Sequence, residues 1–387
     1  MQLILREENI IQRLFNTLKL AHRLPPEQLA DAIIPLGLNT PKRQALDLQL
    51  APRISHYHND LSRKALAAGD LMQIIDRVGN IRTVLSRYVP LVTRAIAPDN
   101  EEDLRYMLGP DSALLTPFSC SPLKMLETLQ LILRELSPND AMPIHVLEKY
   151  CEEHMLQLLA PSDQALWMWP SEHYPDRTLG EHLMQVLIPI AGLSIPLMQI
   201  DQTQLTVAPP SEERVAAYEV IKSYLHTFGP ATIVDSAHYF GISLEHATRL
   251  WEQIPPDELI PVLWEKKEGW ILASDADEAQ QPSWGEGVRF VSRYDPLSDS
   301  PHRSLLIHGK SQYRYFFRSL ERPGMVLFDG RCVAGWHMKS QQQSCSFVIE
   351  DIGESLGKVA LDELETEACA IAQALNISYT GLVVERI

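Results

Sequence analysis

A short segment of the chain concentrates side chains that can hold a water molecule or transfer a proton. It contains Asp47, Gln49, His56 and His58, and hydrolysis needs such groups to orient water and to stabilise charge. Residues two positions apart share a face only in an extended segment, because they diverge on a helix. Two interpretations stay open: catalytic groups, or a buried Gln49 amide bonded to backbone beside solvated or phosphate-contacting histidines.

The remaining residue patterns indicate no metal or cofactor site. The five cysteines are scattered and form no CxxC pair, so neither a zinc site nor a disulfide framework is predicted. The chain also lacks the HExxH, P-loop, GxGxxG and GxSxG motifs. Their absence excludes zincins, P-loop nucleotide hydrolases, Rossmann dehydrogenases and α/β-hydrolases.

Basic residues are unevenly distributed in this acidic chain, whose net charge is −16. That balance opposes general affinity for the phosphates of a duplex. Residues 42–94, however, hold nine basic side chains against four acidic ones, so any phosphate-facing surface should lie in the N-terminal part. We predict that six residues cluster on one concave DNA-binding face: Arg43, Arg53, Lys64, Arg82, Arg87 and Arg94. The alternative is an ordinary mixed, solvated surface.

Residues 212–272 have the pattern of a winged helix, a motif that usually holds a helix against nucleic acid. Ser211-Glu212-Glu213 is an N-terminal capping signal, and Gly229-Pro230 is expected to end the first helix. Thr232 and Ser243 are candidate caps for two further helices. Two strands should then form a hairpin across Lys266–Gly269.

The other segments complete the predicted α+β architecture. Helical patterns and two strand-like runs, Thr83–Val89 and Leu91–Ala97, suggest a first winged unit, and a leucine-rich stretch suggests a second. In the tail, Asp329-Gly330 supplies the positive φ angles of a type I′ hairpin. We predict three tandem winged helix-turn-helix units at 1–110, 111–210 and 211–284, and a C-terminal β-rich α+β domain at 285–387.

One uncharged run, Leu183–Ile200, raises the question of a membrane span. Its breaks at Pro189, Gly192 and Pro196 would leave backbone groups unpaired in lipid. We predict instead a buried helix, a turn and a strand. The first residues are too short and too acidic for a secretory signal. A cytoplasmic monomer without membrane contact is therefore expected.

Three stretches in order resemble the winged-helix DNA glycosylases of the AlkZ type. The first runs from Tyr224 through Gly229-Pro230-Ala231-Thr232. The second is Arg293-Tyr294-Asp295-Pro296-Leu297, followed by His302-Arg303, and the third is Val326–Arg331 with Gly335-Trp336. The resemblance covers about residues 210–340 and extends more weakly into the N-terminal two hundred residues.

The resemblance implies tandem winged helices with a concave DNA-facing surface. It also implies removal of alkylated purines without a metal and without an organic cofactor. Water attacks the sugar carbon of the N-glycosidic bond, and the family's catalytic element is Gln-x-Gln or Gln-x-Asp. The matching segment here is Leu48-Gln49-Leu50-Ala51-Pro52. Gln49 is therefore the expected catalytic residue on the concave surface, with Asp47, His56 and His58 as possible auxiliaries. Ala51 occupies the second position, where a methyl group can position neither water nor a departing base.

Three functions remain open on the sequence. The first is a metal-free DNA glycosylase that acts on alkylated or bulky purines in double-stranded DNA. The second is a non-catalytic, regulatory DNA-binding protein on the same scaffold, which Ala51 favours. The third is a protein-interaction module, which the acidic balance favours. Ala51 separates the first two, and the placement of the basic residues separates the second from the third.

Overall fold

The computed structural model of the chain describes residues 2–42, 44–201, 203–211, 215–281, 285, 287–307, 309–319, 321–353 and 356–386. Arg43 and the capping signal at Glu212-Glu213 lie outside these ranges. The fold combines helices with mainly antiparallel sheets. The predicted mixture of helix and sheet is therefore confirmed.

Fifteen α-helices occur in the described ranges: α1 (Glu7–Thr17), α2 (Ala45–Leu50), α3 (Asn59–Ala68), α4 (Val89–Val92), α5 (Glu101–Leu108), α6 (Pro122–Arg134), α7 (Ile144–Leu158), α8 (Pro161–Trp167), α9 (Leu179–Ala191), α10 (Glu219–Phe228), α11 (Ile233–Phe240), α12 (Leu244–Trp251), α13 (Ala276–Gln280), α14 (Lys310–Arg318) and α15 (Leu361–Ala374). The strands of the same ranges are β1 (Leu3–Ile4), β2 (Leu38–Asn39), β3 (Leu71–Ile75), β4 (Ile81–Leu85), β5 (Met142–Pro143), β6 (Leu197–Gln199), β7 (Gln204–Val207), β8 (Leu259–Trp264), β9 (Lys267–Leu272), β10 (Arg289–Val291), β11 (Gly324–Phe328), β12 (Arg331–Gln341), β13 (Ser344–Asp351) and β14 (Ser378–Arg386).

These elements form two compact units. Unit 1 contains Met1–Leu71, Ile221–Asp235 and Ile254–Ile387, and unit 2 contains Met72–Val220 and Ser236–Gln253. Unit 1 holds a small sheet of order β1-β8-β9 and a five-stranded sheet of order β10-β11-β12-β13-β14, whereas strands of unit 2 pair in the order β4-β3-β6-β7-β5. The predicted segment 211–284 contributes residues to both units. The division into three tandem winged helices and a C-terminal domain stays a prediction.

The element order predicted for 212–272 is present, with one shift at the hairpin. Helices α10, α11 and α12 precede the antiparallel pair β8–β9. The Thr232 hydroxyl accepts a hydrogen bond from the Asp235 amide, and the Ser243 hydroxyl caps α12 through the His246 amide. The turn falls at Glu265–Lys266, where φ is +45° and +70°, rather than within Lys266–Gly269. The individual caps are therefore confirmed.

The strand predicted at Leu91–Ala97 is wrong. The segment forms the end of α4 followed by a short 3₁₀ helix over Arg94–Ile96, and the hairpin before it pairs β3 with β4. Pro90, in the first turn of α4, favours this helix, because the fixed φ of proline suits that turn and its missing N–H costs no helical hydrogen bond there. By contrast, the uncharged run Leu183–Ile200 forms most of α9 and then β6, as predicted. No helix in the described part of the chain is long and apolar enough to cross a membrane.

The five-stranded sheet supplies the core beside the candidate site. Asp329 and Gly330 take φ values of +49° and +72° between β11 and β12, which confirms the predicted hairpin turn. The rings of Phe290 and Trp336 stack with centroids 5.7 Å apart, and the Trp336 indole donates a hydrogen bond to the Val291 carbonyl at 3.0 Å. These contacts hold β10 and β12 together next to α2.

Candidate functional site

Gln49 lies inside unit 1 rather than on a surface. Its side chain is 0% exposed, and its Nε2 donates hydrogen bonds to the Asn39 carbonyl at 2.7 Å and the Ala45 carbonyl at 3.0 Å. Its Oε1 has no hydrogen-bond partner within the described residues. The amide nitrogen of Gln49 is thus bonded to backbone, as one of the two interpretations expected, and a catalytic role for Gln49 on a concave surface stays a prediction.

Ala51 is the C-cap of α2, the helix that carries Gln49, and it is also buried. It is the residue after α2, its side chain is 3% exposed, and its amide donates to the Asp47 carbonyl at 2.9 Å. A methyl group in this packed position offers no donor or acceptor. A polar side chain able to share a water molecule with Gln49 is therefore missing at residue 51.

Asp47 bonds to two hydroxyl groups, whereas His56 and His58 lie at the surface. Asp47 Oδ1 accepts hydrogen bonds from the Tyr57 hydroxyl at 2.7 Å and the Ser62 hydroxyl at 3.1 Å. Burial and the Asp47 charge raise the pKa of Tyr57 well above its usual range, so that hydroxyl remains a donor. His56 and His58 are both exposed. Asp47 therefore acts as an acceptor for two hydroxyls, and an auxiliary catalytic role for Asp47, His56 or His58 stays a prediction.

Arg53 is not available to a phosphate. Its guanidinium is 0% exposed and binds both carboxylate oxygens of Asp295, at 2.6 and 3.0 Å. It also donates to the carbonyls of Leu18 and Gln49. Four of its five N–H donors are used within the fold, so Arg53 serves here as a buried structural residue, and a role in DNA binding stays only a prediction.

The other predicted DNA-binding residues divide between the units. Lys64 is exposed on α3 in unit 1, whereas Arg87 and Arg94 are exposed in unit 2. Arg82, half-buried in unit 2, donates to the Tyr239 hydroxyl at 3.3 Å. Arg43 lies outside the described residues. A single face shared by these cations stays a prediction.

A cleft of about 520 Å³ opens in unit 1 beside the first turn of α2. Ala45 and Leu48 of α2 line one side, and segments 292–294 and 336–340 line the other. The cleft also contains three cations, Lys42, Arg293 and Arg322, and no aspartate or glutamate belongs to the described residues that line it. A cation-lined cleft in an acidic protein can attract an anion that the remaining surface repels.

Arg293 is held in a fixed place within this cleft. Its guanidinium carbon lies 4.9 Å from the Tyr294 ring centroid, Nη2 donates to the Tyr294 hydroxyl at 2.9 Å, and Nη1 donates to the Arg322 carbonyl at 3.4 Å. His337 is the other titratable group of the cleft. Burial, together with the Arg293 charge, lowers its pKa, although its Nε2 lies 3.1 Å from Glu350 Oε2. The cleft therefore keeps its positive charge mainly on its lysine and two arginines.

Comparison with known proteins identifies the family to which the chain belongs. A model of the family described as "DNA glycosylase AlkZ-like" matches residues 36–374. The chain belongs to the AlkZ-like DNA glycosylase family. The structure of the Streptomyces sahachiroi DNA glycosylase AlkZ superposes on this AlkZ-like chain with a TM-score of 0.73 and 16% sequence identity, over 100% of both chains. At that identity the likeness establishes the fold. No curated protein matches the chain in a sequence search.

The cation-lined cleft of this AlkZ-like protein is the feature that sequence reasoning missed. In the sequence, Arg293-Tyr294 belongs to a stretch that resembles a family motif, and Lys42 and Arg322 are far apart in the chain. The charge count over 42–94 pointed to the N-terminal part. Among the described residues, that part supplies one cation to the cleft, Lys42. The signal that the sequence offered was the Arg293-Tyr294 pair, an arginine next to an aromatic residue.

Proposed function

We propose that the chain binds double-stranded DNA at alkylated or bulky purine lesions and acts there as a DNA glycosylase of low activity. Membership in the AlkZ-like family supports the reaction class. The observation that carries the proposal is the state of Gln49. Two backbone carbonyls hold its amide nitrogen, and its Oε1 accepts no hydrogen bond from any residue in the described part of the chain. Buried acceptors in proteins nearly always have a partner, and a bound water molecule is a common one.

The proposed reaction needs little from the protein beyond a positioned water molecule. The water oxygen bonds to C1′ of the sugar while the C1′–N bond breaks and its electron pair stays on the base. An N7-alkylated purine carries a positive charge, so it departs as a neutral base, and the water proton passes to solvent. An amide oxygen such as Gln49 Oε1 orients water without taking its proton. Since Ala51 offers no second polar group, we expect slow hydrolysis.

Excision of N7-methylguanine from an end-labelled duplex tests this proposal. We expect slow release of the base by the wild-type chain, and a rate lower by about 10²-fold or more for Gln49→Ala, because a positioning group is lost. Gln373→Ala is the matched control, since that glutamine is exposed on α15 and the rate should not change. If wild type excises the base well and Gln49→Ala leaves the rate unchanged, the site assignment is wrong.

A second candidate, DNA binding without hydrolysis, is favoured by the complete burial of Gln49 and by the methyl group at residue 51. The same assay separates the two when binding to modified and unmodified duplexes is measured in parallel. Preferential binding to the modified duplex with no base release supports the non-catalytic protein. Absence of duplex binding at about 50 mM salt supports a protein-interaction module instead.

A further inference from the structure

The lysine and two arginines of the cleft beside α2 have no carboxylate partner among the residues that the structure describes. This sets them apart from the buried arginines of unit 1, because Arg13 and Arg53 are paired with Asp275 and Asp295 at 2.6 Å. The chain has 50 acidic residues against 34 basic ones, so three cations that line one cleft with no aspartate or glutamate among its described lining residues are a departure from its average surface. Such a cluster is stabilised when an anion binds to it.

The geometry of Arg293 suits an anion with a fixed position. Its contacts to the Tyr294 ring, the Tyr294 hydroxyl and the Arg322 carbonyl restrict the guanidinium while they use only part of its five N–H donors. A planar guanidinium binds phosphate oxygens through pairs of parallel hydrogen bonds, which a point charge cannot do. Arg322 and Lys42 are exposed at the same cleft and can supply further donors.

The cleft is also large enough to hold a small molecule, and two aromatic side chains line it. Its volume of about 520 Å³ lies in the range of roughly 300–1,000 Å³ that is typical of small-molecule sites. Tyr294 is half-buried at the cleft, and Trp336 is 5% exposed and held by its bond to the Val291 carbonyl. A ligand that joins a phosphate to a planar base would use both the cations and the tyrosine ring.

We propose that this cleft binds one nucleotide, with Arg293, Arg322 and Lys42 bound to its phosphate and Tyr294 against its base or sugar. The inference rests on the proposed function in one respect, because DNA is taken as the source of that nucleotide. A free nucleoside monophosphate presents the same chemistry, and the experiment below distinguishes the two sources. The cleft is thus a nucleotide subsite next to the helix that carries Gln49.

The test measures the binding of four probes by isothermal titration calorimetry. They are dGMP, deoxyguanosine, inorganic phosphate and an unlabelled DNA single strand of about 12 nucleotides. Arg293→Gln and Arg322→Gln each remove one charge from the cleft. Arg314→Gln is the matched control, since Arg314 is exposed on α14 and does not line the cleft. Arg293→Lys keeps the charge but loses the planar fork, and thermal melting of each variant verifies that it is folded.

We expect dGMP and the single strand to bind the wild type, and each cleft variant to bind them about tenfold or more weakly, since one charge-assisted interaction is lost. Arg314→Gln should bind like the wild type, and deoxyguanosine should bind more weakly than dGMP. Tighter binding of the single strand than of dGMP identifies a DNA strand as the source, and the reverse order identifies a free nucleotide. Equal binding of dGMP to wild type, Arg293→Gln and Arg322→Gln overturns the inference, as does no binding of any probe.

A parallel duplex-binding measurement keeps this inference separate from the proposed function. Duplex binding that the cleft variants do not weaken, with no dGMP binding, overturns the subsite and leaves the proposed function standing. Arg293-dependent binding of dGMP without any duplex binding supports the subsite and overturns the proposed function.

Discussion

Arg53 and Asp295 form a bidentate salt bridge in the interior of unit 1, with both side chains 0% exposed. Because Arg53 also donates to the carbonyls of Leu18 and Gln49, this one guanidinium ties the end of α1 and the helix carrying Gln49 to the segment after β10. We expect Asp295→Ala to lower the free energy of unfolding by about 3–5 kcal/mol, since it leaves a buried, unpaired charge. Urea unfolding of unit 1 measures the effect.

A surface pair provides the control for that measurement. Asp60 and Arg63 are 3.6 Å apart with side chains more than half exposed, so Asp60→Ala should cost less than about 1 kcal/mol. The double variant Arg53→Met/Asp295→Leu should be destabilised by less than Asp295→Ala alone, because no buried charge remains. Equal effects of Asp295→Ala and Asp60→Ala would contradict the structural role of the buried pair.

Ala51 lies in a packed environment, so a larger side chain there should destabilise the fold. Ala51→Gln restores the polar pair of the family pattern, but residue 51 is 3% exposed. We expect a loss of about 1–3 kcal/mol from overpacking and no gain in base excision. Chemical denaturation and the excision assay measure the two effects. Ala67→Gln, at an exposed position of α3, should cost little. Faster excision at unchanged stability would show that the site accommodates the second polar group.

The exposed cations Lys64, Arg87 and Arg94 are the testable part of the predicted DNA-binding face. If each binds one phosphate, its replacement by alanine should make the slope of log affinity against log salt shallower by about 0.9. Fluorescence anisotropy on a duplex at several salt concentrations gives that slope. Lys358→Ala removes an exposed lysine elsewhere and serves as the control. Slopes identical to the wild type for all three variants would show that these cations do not contact DNA.

His302 should make the stability of unit 1 depend on pH. Burial lowers its pKa to about 4, and its Nε2 lies 2.7 Å from the Pro230 carbonyl, so the neutral ring donates this hydrogen bond. In the unfolded chain the pKa returns to about 6.5. Between these two values only the unfolded state binds the proton, so stability falls as pH drops from about 6.5 towards 4, by at most about 1.4 kcal/mol per pH unit.

Comparison with a non-titrating variant isolates that contribution. His302→Gln keeps a donor without titrating, and its stability difference from the wild type should shrink as pH is lowered from 7 to 5. His58→Gln, at an exposed histidine, should leave the pH profile of the wild type unchanged. A constant difference between wild type and His302→Gln over this pH range would refute the assignment of a neutral His302.

Local features of the fold were predictable from the sequence because short-range energies decide them. The caps at Thr232 and Ser243 form within one helical turn, and the hairpin at Asp329-Gly330 depends on two positive φ values that these residue types accept. The same logic failed at Leu91–Ala97, where apolar residues suited either a strand or a helix and the preceding Pro90 favoured the first turn of a helix.

The environment of each candidate site residue depended on contacts between distant parts of the chain. Arg53 and Asp295 are 242 positions apart, and an arginine in a sequence has the same charge whether a carboxylate or a phosphate neutralises it. Gln49 is likewise compatible with a surface or an interior until β2 packs beside α2. The cleft draws its cations from residues 42, 293 and 322. Burial and charge pairing arise only when such segments come together, since both depend on distances that a linear pattern does not contain.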